Sequence, residues 1–467
     1  MHDFNFRLNP YTFVRKFSGY FYLENQVSHV HAKLPADEFK WLSTVSYGST
    51  YNVVQLYNGM SSYHEVTETL LQLHKAWLID IEDQPISMER RFSYANKREI
   101  ERCFENFPEI GIEISNEKPF LRNLQLELTD ACNERCIHCY LPNVKKDKCR
   151  LLSKEEVFDV LHQYREMEGL KVIFSGGEIL LHPQFFCIME ECKRLNLMIL
   201  LQSNLVSLTE EDIQRIKELD VFNVQVSLYS TNAHLHEAIT RRKGSFAKTK
   251  HNLELLVKYD IPAMISCPVM DVNFSTVRDL HSYANKMGLD IYFDFMMMAG
   301  CDGCSDNLAT RLDVKQVKEV LKFYLDVNPT YVTAISISGT LEEALSKKYA
   351  RRRTMCDILS SSLCIDSDGS IYPCPGWNGL KLGNINSMTL SEVWNSDNAD
   401  RLRRINIGDY AKCQRCDKHN FCDMCAVYNY NENGDMFDIC PRFCEMAEML
   451  RECVIEKYNE LHKKYGF

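Results

Sequence analysis

Residues 124–140 read LQLELTDACNERCIHCY. Leu124, Leu126 and Leu128 alternate with Gln125 and Glu127, the period of a strand with one buried face. Thr129, Asp130 and Ala131 then lead into Cys132, Cys136 and Cys139, with Tyr140 directly after. A short strand thus delivers three thiols into one loop. Three thiolates can hold three irons of a four-iron, four-sulfur cluster and leave the fourth iron open. Zinc is the competing chemistry, because Cys136 and Cys139 form a CxxC pair, although structural zinc sites usually close with four ligands.

Working outward, the 467 residues allow two or three domains, and 45% apolar with 25% charged residues describes a soluble globular protein. A net charge of -10 argues against general nucleic-acid binding. No run of 18 or more apolar residues marks a membrane span, and the start of the chain lacks a signal peptide's apolar core, so the expected compartment is the cytoplasm. Twenty cysteines in such a chain point to metal or cluster ligation and away from disulfides.

Downstream of residue 120 the pattern alternates strand and helix six times. Apolar runs at 124–128, 172–174, 198–201, 224–228, 263–269 and 291–298 are followed by helical stretches near 155–168, 185–195, 210–219, 249–259, 275–287 and 314–325. This predicts parallel βα units, a partial (βα)6 barrel of the α/β class, with ligands at the carboxyl ends of the strands. Chemistry-bearing residues fall there. Gly176, Gly177 and Glu178 follow the second strand, Ser203 and Asn204 the third, and Ser227 ends the fourth. Met296 to Met298 end the sixth as core residues, and Cys301 with Cys304 makes a further CxxC of open role.

Cys132, Cys136, Cys139 and Tyr140 resemble the CxxxCxxC signature of the radical S-adenosylmethionine (SAM) enzymes. That resemblance implies a 4Fe-4S cluster whose open iron is chelated by SAM, and reductive cleavage to a 5'-deoxyadenosyl radical. Gly176, Gly177 and Glu178 resemble the family's GGE motif at the methionine amino group, with Ile179 in place of the common proline. Ser203 and Asn204 occupy a position where a Thr-Asn-Gly run is frequent, with Leu205 replacing the glycine. Ser227 resembles a ribose-binding serine, and Arg241 or Arg242 could pair with the SAM carboxylate.

Nine cysteines lie between Cys356 and Cys444. Their ladder is a metal signature, with zinc ribbons as the alternative. It resembles the SPASM extension, which carries two auxiliary 4Fe-4S clusters. By position Cys356, Cys374 and Cys425 resemble ligands of the first, and Cys413, Cys416, Cys422 and Cys440 ligands of the second. Cys364 is a candidate to close the first cluster, and Cys444 competes with Cys440. Cys103, Cys149, Cys187, Cys192, Cys267 and Cys453 read as ordinary thiols.

Upstream, Tyr20 to Leu23 and Val27 to His31 read as two strands around a turn. Residues 37–44 read as helical, and so does 63–78, through Val66, Leu70, Leu73 and Trp77, with Ser62 and Glu65 as its capping box. A short helix is expected near 97–107. The pattern suggests a winged-helix-like module, similar to the leader-recognition domains of enzymes that modify ribosomally made peptides. The expected organisation is a leader-recognition module at 1–95, a linker at 96–119, the barrel at 120–338 and the auxiliary-cluster domain with a closing helix at 339–467.

These resemblances imply a maturase of a leader-bearing ribosomal precursor peptide, forming a thioether, with carbon-carbon crosslinking or oxidation of the sulfatase-maturase kind as alternatives. They also imply a flavodoxin or ferredoxin as electron donor. The non-enzyme alternative is an iron-sulfur or zinc binding protein.

Overall fold

The computed structural model describes residues 4–9, 11–25, 31–37, 39–43, 49–56, 63–82, 119–141, 149–327, 359–377 and 379–465. The N-terminal part holds β1 (Asn5–Leu8), β2 (Thr12–Lys16), β3 (Tyr20–Asn25), β4 (His31–Pro35), β5 (Thr50–Asn52) and β6 (Ile79–Ile81). They form two antiparallel sheets, ordered β5-β1-β6 and β2-β3-β4. The helix Tyr63–Lys75 turns Val66, Leu70 and Leu73 inward at i, i+4 and i+7, where they meet Phe6, Leu23, Leu34 and Ile79.

Sequence reading found β3 and the helix but missed β1, β5 and β6, which are too short to display a period, and β2, whose buried and half-buried positions do not alternate. Of the expected strand 27–31 only His31, the first residue of β4, lies among the described residues, and within the expected helix 37–44 the described residues hold a single 3-10 turn, Lys40–Ser43. Ser62, the expected linker and its short helix lie outside the described residues.

The six strands expected of the central region are β7 (Asn123–Thr129), β8 (Lys171–Gly176), β9 (Met198–Ser203), β10 (Asn223–Ser227), β11 (Ala263–Pro268) and β12 (Asp290–Asp294), and they form one parallel sheet. All neighbours pair in parallel and in chain order. Connecting helices begin at sequence-encoded caps: Ser153 with Glu156, and Thr209 with Asp212, each form a complete capping box. The sixth strand stops at Asp294, so Met296 to Met298 lie beyond it in the following loop. An additional helix, Ala233–Thr240, follows β10 and was not anticipated.

The C-terminal region joins the same sheet. Strand β13 (Ser362–Ile365) pairs in parallel with β7, Cys364 opposite Gln125, and β14 (Ser370–Tyr372) folds back on it, followed by β15 (Gly383–Asn384). The turn between β13 and β14 is made at Gly369, where φ is +77°. The cysteine-rich region is thus built directly onto the strand that carries Cys132. The final helix, Pro441–Tyr465, packs along the helix Val314–Val327.

The N-terminal module docks on the opposite end of the barrel. Glu24 accepts from Lys171 and from Arg122, each at 3.1 Å, and from the Tyr22 hydroxyl at 2.5 Å. Lys171 opens β8 and Arg122 directly precedes β7, so this network lies at the amino ends of the strands. Phe17 and Tyr22 pack there against Leu170, Met198 and Phe222.

Candidate active site

A cavity of 780 Å³ opens at the carboxyl ends of the strands. Cys132, Cys136, Cys139, Gly176, Gly177, Glu178, Ser203, Asn204, Ser227 and Arg241 all line it. The structure therefore gathers in one place the residues that sequence reading assigned to the catalytic cluster or to SAM, with the alternative Arg242 left outside.

The cysteine loop is held by backbone bonds on two sides. Gly177 N donates to Thr129 O at 2.7 Å and Glu178 N to Ala131 O at 2.8 Å. The glycines make this approach possible: a Cβ on Gly177 would lie 2.2 Å from Ala131 O, and one on Gly176, at φ +115°, 2.5 Å from Thr129 O. On the other side, Arg135 N donates to Thr240 O and Ile137 N to Ile239 O, at the end of the helix Ala233–Thr240. Arg242 Nη1 caps the Asn133 carbonyl at 2.5 Å, which leaves Arg241 to face the cavity.

The polar residues behind the loop are bonded to one another. Glu178 is 1% exposed and accepts from Ser203 Oγ at 2.7 Å, Asn204 N at 2.9 Å and Leu180 N at 3.2 Å. Burial raises its pKa, and the Asn204, Ser203 and Leu180 donors counter that rise. Asn204 Nδ2 donates to Asn133 Oδ1 at 2.7 Å. These side chains tie β8, β9 and the cysteine loop together. Leu205, in the place of a glycine, holds φ at +60° and is 1% exposed.

Residues to which sequence reading gave no definite place in the site also face the cavity, Cys304 of the open-role CxxC and strand-end Tyr229 among them. The Tyr229 hydroxyl lies 3.8 Å from Cys136 Sγ and within hydrogen-bond reach of Ser227, and its ring meets His138 edge-on at 4.8 Å. Asn307 Nδ2 donates to Met298 O at 2.7 Å and His138 O at 3.3 Å. Cys304, Asp302 and Glu134 complete this wall. Strand-end position was the available signal for Tyr229; the others sit in loops, where side-chain direction is not periodic.

The donor set fits a cluster bearing a ligand. Burial pushes the Cys132 thiol up to about 12 and raises Cys136 and Cys139 as well, so stable thiolates there call for a positively charged metal centre. Glu134 Oε1, His138 Nδ1 and Asn307 Oδ1 are buried at the cavity wall without a hydrogen-bond partner among the described residues. Among the described residues no three Cys, His, Asp or Glu side chains converge as the ligands of a single ion do. The three cysteines stand instead around open volume.

In the C-terminal region Cys364 and Cys374 neighbour each other across the β13–β14 hairpin. Cys356 lies outside the described residues. Cys425 packs with Cys374 around Trp377, Ala426 and Val427. Burial raises Cys413 to about 11 and Cys422 to about 12, and both thiols also feel Cys416 and Cys444. Cys440 Sγ lies 3.3 Å from Glu432 Oε2, which Arg311 also engages, and the residue belongs to a small core against which Cys413, Cys422 and Cys425 pack.

Fold and site define an iron-sulfur protein whose small-molecule cavity is formed by strand ends and a three-cysteine loop. Residues 126–284 match the Radical SAM superfamily, and residues 356–417 match SPASM, an iron-sulfur cluster-binding domain. The chain thus carries a Radical SAM domain followed by a SPASM domain and is an AdoMet-dependent enzyme, with SAM and 4Fe-4S clusters as its cofactors.

The AdoMet-dependent heme synthase of Methanosarcina barkeri is 23% identical, over 68% of this chain and 95% of that protein. The antilisterial bacteriocin subtilosin biosynthesis protein AlbA of Bacillus subtilis is 24% identical, over 68% of this chain and 70% of its own length. Among solved structures, Streptococcus suis SuiB bound to precursor peptide SuiA superposes with a TM-score of 0.56 at 14% identity, covering 92% of this chain and 97% of that one. No helix among the described residues is long and apolar enough to cross a membrane.

Proposed function

We propose that this enzyme matures a ribosomally made precursor peptide, taking the leader on a winged-helix-like module within residues 1–95 and closing a thioether in the core peptide. One observation carries the reading: the likeness to SuiB extends over 92% of the chain, which requires the N-terminal module as well as the barrel, and SuiB was solved with a precursor peptide bound. The name of AlbA, a bacteriocin biosynthesis protein, supports the same substrate class.

Bound SAM and a reduced cluster supply a carbon-centred radical that takes hydrogen from substrate. The chain's own residues bind and orient. Cys132, Cys136 and Cys139 are the cluster ligands, and Gly176 and Gly177 bring backbone close enough to meet the SAM amino group. Ser227 serves the ribose hydroxyls and Arg241 the carboxylate. Ser203 and Asn204 act through Glu178 and Asn133, holding the GGE turn against the cysteine loop. Tyr140 and Met298 line the approach to the auxiliary region.

Cys356, Cys374 and Cys425 are assigned to the first auxiliary cluster, with Cys364 as the closing ligand or with a position left for a substrate thiolate. Cys413, Cys416 and Cys422 are assigned to the second, closed by Cys444 in preference to Cys440. A flavodoxin or ferredoxin is the proposed electron donor. The test is anaerobic incubation of reconstituted protein with SAM, reductant and a leader-bearing, cysteine-containing precursor peptide. Loss of one pair of hydrogens together with one alkylatable thiol is the expected result. The same loss with every thiol intact would indicate a carbon-carbon link, and an unchanged peptide that fails to bind residues 1–95 would contradict the reading.

A further inference from the structure

One buried polar group near the first auxiliary site has no role in the account so far. Trp377 ends the turn Cys374, Pro375, Gly376, Trp377, and its backbone N–H donates to the Cys374 carbonyl at 3.4 Å. The side chain is 2% exposed, yet its indole Nε1–H has no hydrogen-bond partner among the described residues. An indole nitrogen is a donor only, and a buried donor without an acceptor is a costly arrangement.

The surroundings narrow what the acceptor is. Trp377 shares a small core with Ala426 and Val427, and Cys374, Cys425, Met298 and Tyr430 pack on that core. Asn431 Nδ2 fixes the turn by donating to Gly376 O at 2.9 Å. The indole is therefore held beside the two described cysteines assigned to the first auxiliary cluster. Sulfur atoms of an iron-sulfur cluster accept hydrogen bonds from such donors, and these bonds favour the reduced, more negative cluster.

The turn also borders the catalytic cavity. A Cβ on Gly376 would lie 2.4 Å from Met298 Cε and 3.3 Å from the Tyr140 ring, and Tyr140 directly follows Cys139. A cluster at Cys374 and Cys425 would thus lie next to the site where substrate is oxidised, and its potential bears on its use as electron acceptor.

We propose that the Trp377 indole N–H donates a hydrogen bond to a sulfur of the first auxiliary cluster and raises its reduction potential. The couple is the one-electron exchange between the oxidised and reduced cluster; no bond to carbon forms or breaks. The proposal rests on the auxiliary-cluster assignment above, and the experiment separates the two.

The full-length protein is reconstituted with iron and sulfide, as wild type and as Trp377→Phe, and titrated with dithionite while reduced-cluster signals are followed by electron paramagnetic resonance. Added SAM perturbs the catalytic cluster and so marks its signal. Expected is an unchanged iron count and, for one auxiliary signal, a reduced-to-oxidised ratio about tenfold lower at a fixed potential, equivalent to about 59 mV for one electron. Wild type grown with 15N-indole tryptophan should show a nitrogen hyperfine coupling on that signal.

An unchanged midpoint potential with full iron loading would overturn the proposal, as would absence of the coupling, which needs no variant to fold. If the wild-type iron count instead leaves no cluster for Cys374 and Cys425, the assignment beneath the proposal fails, and the proposal with it.

Discussion

Glu24 in the N-terminal sheet and Lys171 at the first position of β8 meet at 3.1 Å in a buried network with Arg122 and Tyr22. It is the polar centre of the contact between the N-terminal module and the barrel, on the end of the sheet away from the cavity. Under the proposed function, a peptide held by that module would have to pass along the parallel sheet to bring its core segment to the strand ends.

Replacing Glu24 by Ala leaves Arg122 and Lys171 without their counter-charge in a dry contact. The expected cost is on the order of 3 kcal/mol, because breaking one side of a buried pair exposes the desolvation of the other. Proteolysis of the N-terminal module should quicken while the clusters remain loaded.

The same contact should weaken in acid. Burial alone would raise the Glu24 pKa, but Lys171 and Arg122, with the Tyr22 hydroxyl, reverse this and hold it below the usual carboxylate value. A depressed folded-state pKa contributes stability that is present above the unfolded value and is lost as pH falls through the folded one. Thermal unfolding followed from neutral pH downward should show the module loosening first, and Glu24→Gln should flatten that dependence.

Gly177→Ala places a methyl 2.2 Å from a backbone oxygen in the loop that carries Cys132. The loop must move, so the variant should lose about one cluster's four irons and its SAM binding while the auxiliary clusters stay. Iron analysis with SAM-binding calorimetry checks this.

Ser203→Ala removes one of the three donors to the buried Glu178 carboxylate. A loss of about 1–3 kcal/mol is expected. If Ser203 acts through Glu178, the variant should bind SAM more weakly and Glu178→Gln should do the same. If the hydroxyl met the ribose directly, the weakening would follow Ser203 alone.

Cys444→Ala should lower the iron count by up to about one cluster, whereas Cys440→Ala should leave it unchanged. Cys444 sits in the first turn of the helix Pro441–Tyr465 and acts on Cys413 and Cys422; Cys440 is drawn to Glu432. Equal losses from both variants would contradict this choice.

The parallel α/β sheet was legible because its strands and helices are long enough to show their periods and each motif falls at a strand end. The pairing of β13 with β7 was not: more than 200 residues separate Leu124 from Leu363, and a free sheet edge leaves no mark in sequence. Ser203 and Asn204 were legible as hydrogen-bonding residues, but the direction of their bonds, toward Glu178 and Asn133, belongs to tertiary structure. The departure at Leu205 looked like a lost glycine. The left-handed backbone is kept, with a buried leucine bearing the strain. Spacing alone left Cys440 and Cys444 in competition, because both come near Cys413 and Cys422, Cys440 just before the closing helix and Cys444 in its first turn.

The most direct measurement is the iron and sulfide content of anaerobically reconstituted protein, before and after Cys132, Cys136 and Cys139 are all changed to Ala, alongside release of 5'-deoxyadenosine from SAM. The account predicts a fall from about twelve irons to about eight with SAM cleavage abolished. Bound zinc with little iron, or SAM cleavage that survives the triple change, would contradict it.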